Sequence, residues 1–104
     1  MVTGMVTLVI YDIPSDKKRG KVADACLDCG LQRIQWSAFI GDLAPARRSD
    51  LRARVERIMK GDAGNIQLYP ICEKDYNAME EMVFGNHRFG VRETIASRKG
   101  VKVI

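Results

Sequence analysis

One histidine, one tryptophan and three prolines are spread over 104 residues, and each scarcity removes a class of explanation. His87 stands alone between Gly85 and Gly90, with no nucleophile or acid at a diagnostic spacing, so a histidine-based acid–base centre has nothing to build on. No apolar run approaches the roughly 18 residues of a spanning helix, and the N-terminus shows no basic segment followed by an apolar stretch and a cleavage site. A cytoplasmic protein without membrane contact is expected. There is no Walker A sequence, no GxGxxG and no aromatic pattern of an RNA-recognition motif. The three cysteines, Cys26, Cys29 and Cys72, are odd in number and fit reduced thiols better than a disulfide framework. Cys26 and Cys29 form a CxxC, but at the end of a predicted helix, whereas a redox pair sits at a helix start, where the macrodipole lowers the thiol pKa. A zinc site made from them with Cys72 and His87 lacks a second tight ligand pair, so the cysteines read as small core residues.

What is present is a basic, moderately apolar chain. A net charge of +4 makes polyanions the more plausible partners, and an apolar fraction of 46% supports one modest core. We expect a single domain over residues 1–104, with 1–4 as a loose extension and 85–104 as a tail or a last strand. Val6 to Ile13 is a nearly continuous β-branched run, suited to a central strand covered on both faces. Pro14 and Ser15 turn the chain, and Val22, Ala25, Cys26 and Cys29 then recur at helical spacing until Gly30, which predicts a helix from Asp16 to Cys29. Residues 31–43 alternate. Ile34, Trp36, Ala38 and Ile40 share a face expected in the core, and Arg33, Gln35, Ser37 and Phe39 share the other, which predicts one strand or two joined by a bend. Pro45 opens a second helix with Leu51, Val55, Ile58 and Met59 as its apolar stripe, closed by Gly61 or Gly64. Ile66 to Cys72 is a short strand whose Pro70 belongs at an edge or an end. Tyr76, Met79, Met82 and Val83 suit a short helix, and Val101 to Ile104 a final strand. The order predicts an α+β, ferredoxin-like βαββαβ domain with an antiparallel sheet, both helices on one face and the other face open. An open face carrying Arg33, Gln35 and Phe39 in so small a chain suggests a homodimer.

Lys17, Lys18, Arg19 and Lys21 crowd the first turns of the first helix, where the macrodipole disfavours cations. Either phosphate binding offsets that repulsion or the cluster is a solvated face. The second helix mixes its arginines with Asp50 and Glu56, the pattern of an ordinary solvated face. Trp36, at a core-facing strand position, reads as packing rather than base stacking. Asp12 is the sharpest anomaly, a carboxylate that ends an apolar strand. Two copies meeting at a two-fold axis, with phosphate oxygens and waters, would suit Mg²⁺ or Mn²⁺ and phosphodiester hydrolysis. The structural alternative makes Asp12 a turn residue or the partner of a helix-one lysine.

Three blocks, LVIYDIPSDKKRGKV, LQRIQWSAFIGDL and NIQLYPI, resemble in order and separation the signatures of the small CRISPR-associated Cas-two (Cas2) proteins, over about the first 72 residues. The resemblance implies a ferredoxin-like homodimer with sheets packed face to face. It also implies a role in spacer acquisition, with metal-dependent endonuclease activity on RNA or DNA and Asp12 as the catalytic and metal-binding residue. Tyr11, Asp16, Arg19, Arg33, Ser37 and Phe39 fall on other positions of the family pattern. Lys17, Lys18, Arg19, Lys21 and Arg33 are the candidate nucleic-acid contacts. The same resemblance implies an alternative, a non-catalytic adaptor that bridges the CRISPR integrase, Cas-one (Cas1), and holds duplex DNA.

Overall fold

The computed structural model describes residues 5–85. Its elements are β1 (Met5–Asp12), α1 (Asp16–Asp28), β2 (Gln32–Gln35), β3 (Ala38–Leu43), α2 (Pro45–Met59), β4 (Asn65–Ile71) and α3 (Glu73–Asn77). The four strands make one sheet in the order β2-β3-β1-β4, with every neighbouring pair antiparallel. This is the split βαβ order of a ferredoxin-like domain. The extension expected over Met1 to Gly4, His87 and the strand expected at Val101 to Ile104 lie outside the described residues.

β1 takes a central position because both of its faces are apolar. Val9 and Tyr11 turn toward α1 and α2, where Val22, Ala25, Cys26, Leu51 and Val55 close over them. Val6 and Leu8 turn the other way, into a second cluster with Ile34, Ala38, Ile40 and Tyr76. Removing a Val or Leu side chain from water stabilises by roughly 1.5–3 kcal/mol, so both clusters hold the sheet in place. Pro70 lies in the edge strand β4, where its missing N–H is tolerated.

Residues 31–43 depart from their expected arrangement in two respects. Ile34, Ala38 and Ile40 do share a face, but it is the face turned away from α1 and α2. Phe39, expected on an open face with Arg33 and Gln35, is fully buried beneath those helices with Val9 and Tyr11. Alternation shows which side chains share a face; which face the helices cover depends on long-range packing. The second departure is Trp36, expected in the core and found 65% exposed. Trp36 and Ser37 form the two-residue connection between β2 and β3, and the pairing register slips between Arg33 and Gln35. A period-2 count carried through that bulge and turn loses its meaning.

The helix ends follow their sequence signals. Ser15 caps α1, its Oγ accepting from the Lys18 amide at 3.2 Å. At the other end Gly30 has φ +88°, the Gly30 amide donates to the Leu27 carbonyl and the Leu31 amide donates to the Cys26 carbonyl, a Schellman ending that favours glycine. Pro45 starts α2, and Gly61, at φ +84°, follows its end. The expectation of helices on one face holds for α1 and α2 only. The short α3 lies over the opposite face, with Tyr76 2% exposed in the second cluster. Met82 and Val83, expected on that helix, lie beyond it and are exposed.

Candidate active site

Asp12 is the last residue of β1, opposite Asn65 of β4, and its side chain is exposed. Strand alternation puts it on the same sheet face as Leu8 and Ile10, the face that α1 and α2 leave uncovered. Among the described residues its carboxylate makes no hydrogen bond or ion pair, so it is neither the Asx-type turn residue nor the lysine partner that the sequence also allowed.

Tyr11, one residue earlier, faces the opposite way and builds the wall of a cleft. Its amide donates to the Ser37 carbonyl at 3.0 Å, and its hydroxyl donates to the Trp36 carbonyl at 3.4 Å. These contacts tie the end of β1 to the β2–β3 turn. The Tyr11 ring stacks on Phe39, with centroids 6.2 Å apart. The Arg33 guanidinium lies 5.0 Å from the Phe39 ring centroid and 5.8 Å from that of Trp36, within cation–π range of both. Burial raises the Tyr11 pKa above its usual value, and the nearby Arg33 cation offsets part of the rise. Tyr11 is thus a neutral structural hydroxyl at neutral pH.

The cleft has a volume of about 430 Å³. Asp12, Asp16, Arg19 and Arg33 are the charged residues along it, and Tyr11 and Trp36 the aromatic ones. Arg19 is fixed by two acceptors, the Ile13 carbonyl at 2.8 Å and the Asp16 carboxylate. Of the predicted nucleic-acid contacts, Arg19 and Arg33 therefore meet Asp12 in one cleft, and Lys17 and Lys21 stand exposed on α1 outside it. Lys18 is placed differently. Its ammonium donates to the Ile58 carbonyl at 2.6 Å and lies 3.6 Å from Asp62. It crosses from the start of α1 to the end of α2, where the macrodipole favours a cation. The repulsion expected within the basic cluster is relieved in this way by the protein itself.

The donor set limits what metal chemistry one subunit can support. No group of three or more His, Cys, Asp or Glu side chains able to hold a metal exists among the described residues. Asp16 is engaged by Arg19, which leaves Asp12 as an exposed carboxylate with its oxygens available. Such a group fits a hard divalent cation only if a second copy and the substrate complete the oxygen set. The cysteines offer no alternative. Cys26 is completely buried in the helix-side core, and burial, with the Cys29 thiol beside it, pushes its pKa up to about 12. Cys72 caps α3, its Sγ accepting from the Asp75 amide at 3.4 Å. Trp36 is the site residue that sequence reasoning misplaced; the signal available was the tight spacing between the two strand patterns, which forces a turn at residues 36 and 37.

Residues 5–79 match the family model described as CRISPR associated protein Cas2. The chain belongs to the Cas2 family. It is 49% identical over 73 residues to the CRISPR-associated endoribonuclease Cas2 2 of Chloroflexus aurantiacus, a match covering 70% of this chain and 86% of that one. The structure of Streptococcus pyogenes Cas2 superposes with a TM-score of 0.65 at 28% identity, covering 76% of this chain and all of that one. A third Cas2 relative is joined to another protein. The CRISPR-associated endonuclease Cas1/endonuclease Cas2 fusion of Thermoproteus tenax is 39% identical over 70 residues, covering 67% of this chain and 26% of the fusion. No helix among the described residues is long and apolar enough to cross a membrane.

Proposed function

We propose that this chain acts in CRISPR adaptation as a homodimeric nucleic-acid-binding protein whose two Asp12 carboxylates form one phosphodiesterase site dependent on Mg²⁺ or Mn²⁺. The observation that carries this reading is the position of Asp12, exposed and unengaged at the end of the sheet face that α1 and α2 leave bare. On that face Leu8 is half-buried, and Ile10 and Tyr69 are 39% and 47% exposed. A second copy packed there would bury these side chains and bring the two Asp12 residues toward a common axis. The endoribonuclease name of the Chloroflexus relative supports hydrolysis as the outcome.

The roles of the side chains follow from their placement. Lys17 and Lys21, exposed on α1, gather the polyanion by long-range attraction. Arg33, held near two aromatic rings, presents N–H groups to a phosphate or base without having to order itself first. Asp12 would supply carboxylate oxygens to hold the cation. The divalent cation, when bound, stabilises charge on the phosphoryl oxygens and lowers the pKa of attacking water. The Thermoproteus fusion favours a second reading, in which the chain serves as an adaptor to the integrase Cas1 and holds duplex DNA.

An Asp12→Asn protein separates the two. Loss of at least about 100-fold in Mg²⁺- or Mn²⁺-dependent cleavage of RNA or DNA, with dimer and duplex binding retained, is the expected outcome. Cleavage that survives the substitution removes Asp12 from the chemistry.

A further inference from the structure

Trp36 is the only tryptophan in the chain, and it stands 65% exposed at the lip of the Asp12 cleft. A turn needs no indole, and exposing one retains none of the stabilisation that burying so large an apolar surface provides. The ring is nevertheless held in place. Its backbone carbonyl accepts from the Tyr11 hydroxyl, and the Arg33 guanidinium lies over its face. The cleft beside it is lined by charges of both signs, Arg19 and Arg33 with Asp12 and Asp16, so attraction for phosphate alone does not account for its make-up. A nucleobase suits such a place better, since its faces stack on indole or guanidinium and its edges carry both donors and acceptors. At about 430 Å³ the cleft has the size of a small-molecule site, which ranges over roughly 300–1,000 Å³.

We infer that Trp36, backed by Arg33, is a stacking platform for one unpaired base at the Asp12 cleft. A paired base has both faces occupied by its neighbours and cannot stack on the indole without leaving the helix. The phosphates on either side of the stacked base would run toward the exposed Lys17 and Lys21. This inference rests on the nucleic-acid-binding part of the function proposed above and is independent of hydrolysis.

A single tryptophan makes the test direct. Indole emission of the full-length protein is followed while unlabelled single-stranded RNA, or a blunt duplex of the same sequence, is added without divalent cation. Binding is measured in parallel by the anisotropy of a labelled oligonucleotide. The single strand should quench the emission as it saturates, and the duplex should bind without comparable quenching. Trp36→Ala should weaken single-strand affinity by roughly 5- to 150-fold, leave duplex affinity within about twofold, and be partly rescued by Trp36→Phe. Because the titration contains no divalent cation, a failure of hydrolysis and a failure of stacking are told apart. Unchanged emission while anisotropy rises overturns the inference alone. Emission already shifted to the blue before RNA is added, and constant afterwards, also overturns it and assigns the indole to contact between two copies. Flat anisotropy with every oligonucleotide overturns both this inference and the binding role on which it rests.

Discussion

Tyr11 and Asp12 are consecutive residues with opposite fates, and their separation is the smallest unit of the site. Period-2 geometry sends the phenol under the helices and the carboxylate to the face turned away from α1 and α2. The sequence shows Asp12 as an anomaly because a charge ends an apolar run, and in the structure its side chain is exposed at the end of β1. Trp36 shows the converse, since hydrophobicity argued for burial and turn geometry overrode it. Cys26 yields a test at the same scale. Its thiol ionises near 9.0 when exposed and is raised to about 12 in the fold. Between those values the folded protein binds more protons than the unfolded one, so this contribution to stability is complete below about pH 9 and is lost as pH rises toward 12. Urea midpoints measured from pH 8 upward should therefore fall, with a shallower fall in Cys26→Ala; equal slopes would contradict the burial. Alkylation at neutral pH should label exposed Cys72 well before Cys26.

The elements were readable from the sequence wherever a local signal sets the backbone. Ser15, Gly30, Pro45 and Gly61 mark helix ends because each satisfies or interrupts the backbone within one turn of itself. Two glycines of one helix then make opposite predictions. Gly30→Ala forces an L residue to φ +88° and should cost about 1–2 kcal/mol. Gly20→Ala, inside α1 where an added Cβ meets nothing within 4 Å, should stabilise by about 0.4–1 kcal/mol. Urea denaturation of both proteins checks the pair, and effects of the same sign would contradict these helix boundaries. The strand pair at residues 32–43 was harder to read. Neither the bulge before Gln35 nor the choice of which face α1 and α2 would cover has a local signature, because both are decided by packing between segments far apart in the chain. Lys18 belongs to the same class, for nothing near it in sequence reveals that its partner is the last turn of α2.

At the scale of the whole molecule, the sheet face turned away from α1 and α2, which α3 covers in part, links shape to function. It carries Ile10 and Asp12 two residues apart on one strand, so apolar association and chemistry would occupy one surface. Ile10→Lys should leave the fold intact, since Ile10 is 39% exposed, while shifting sedimentation from dimer to monomer and abolishing cleavage with it. A monomer that cleaves as well as the dimer would break the proposed link. The joint use of two Asp12 residues is a claim about this chain. Subunit mixing tests it most directly. When unaltered and Asp12→Asn subunits are combined in equal amounts and allowed to assort at random, one shared site predicts about one quarter of the undiluted cleavage rate per total protein, because only dimers with two Asp12 residues work. A rate of about one half would show that each subunit acts alone, and would contradict the account.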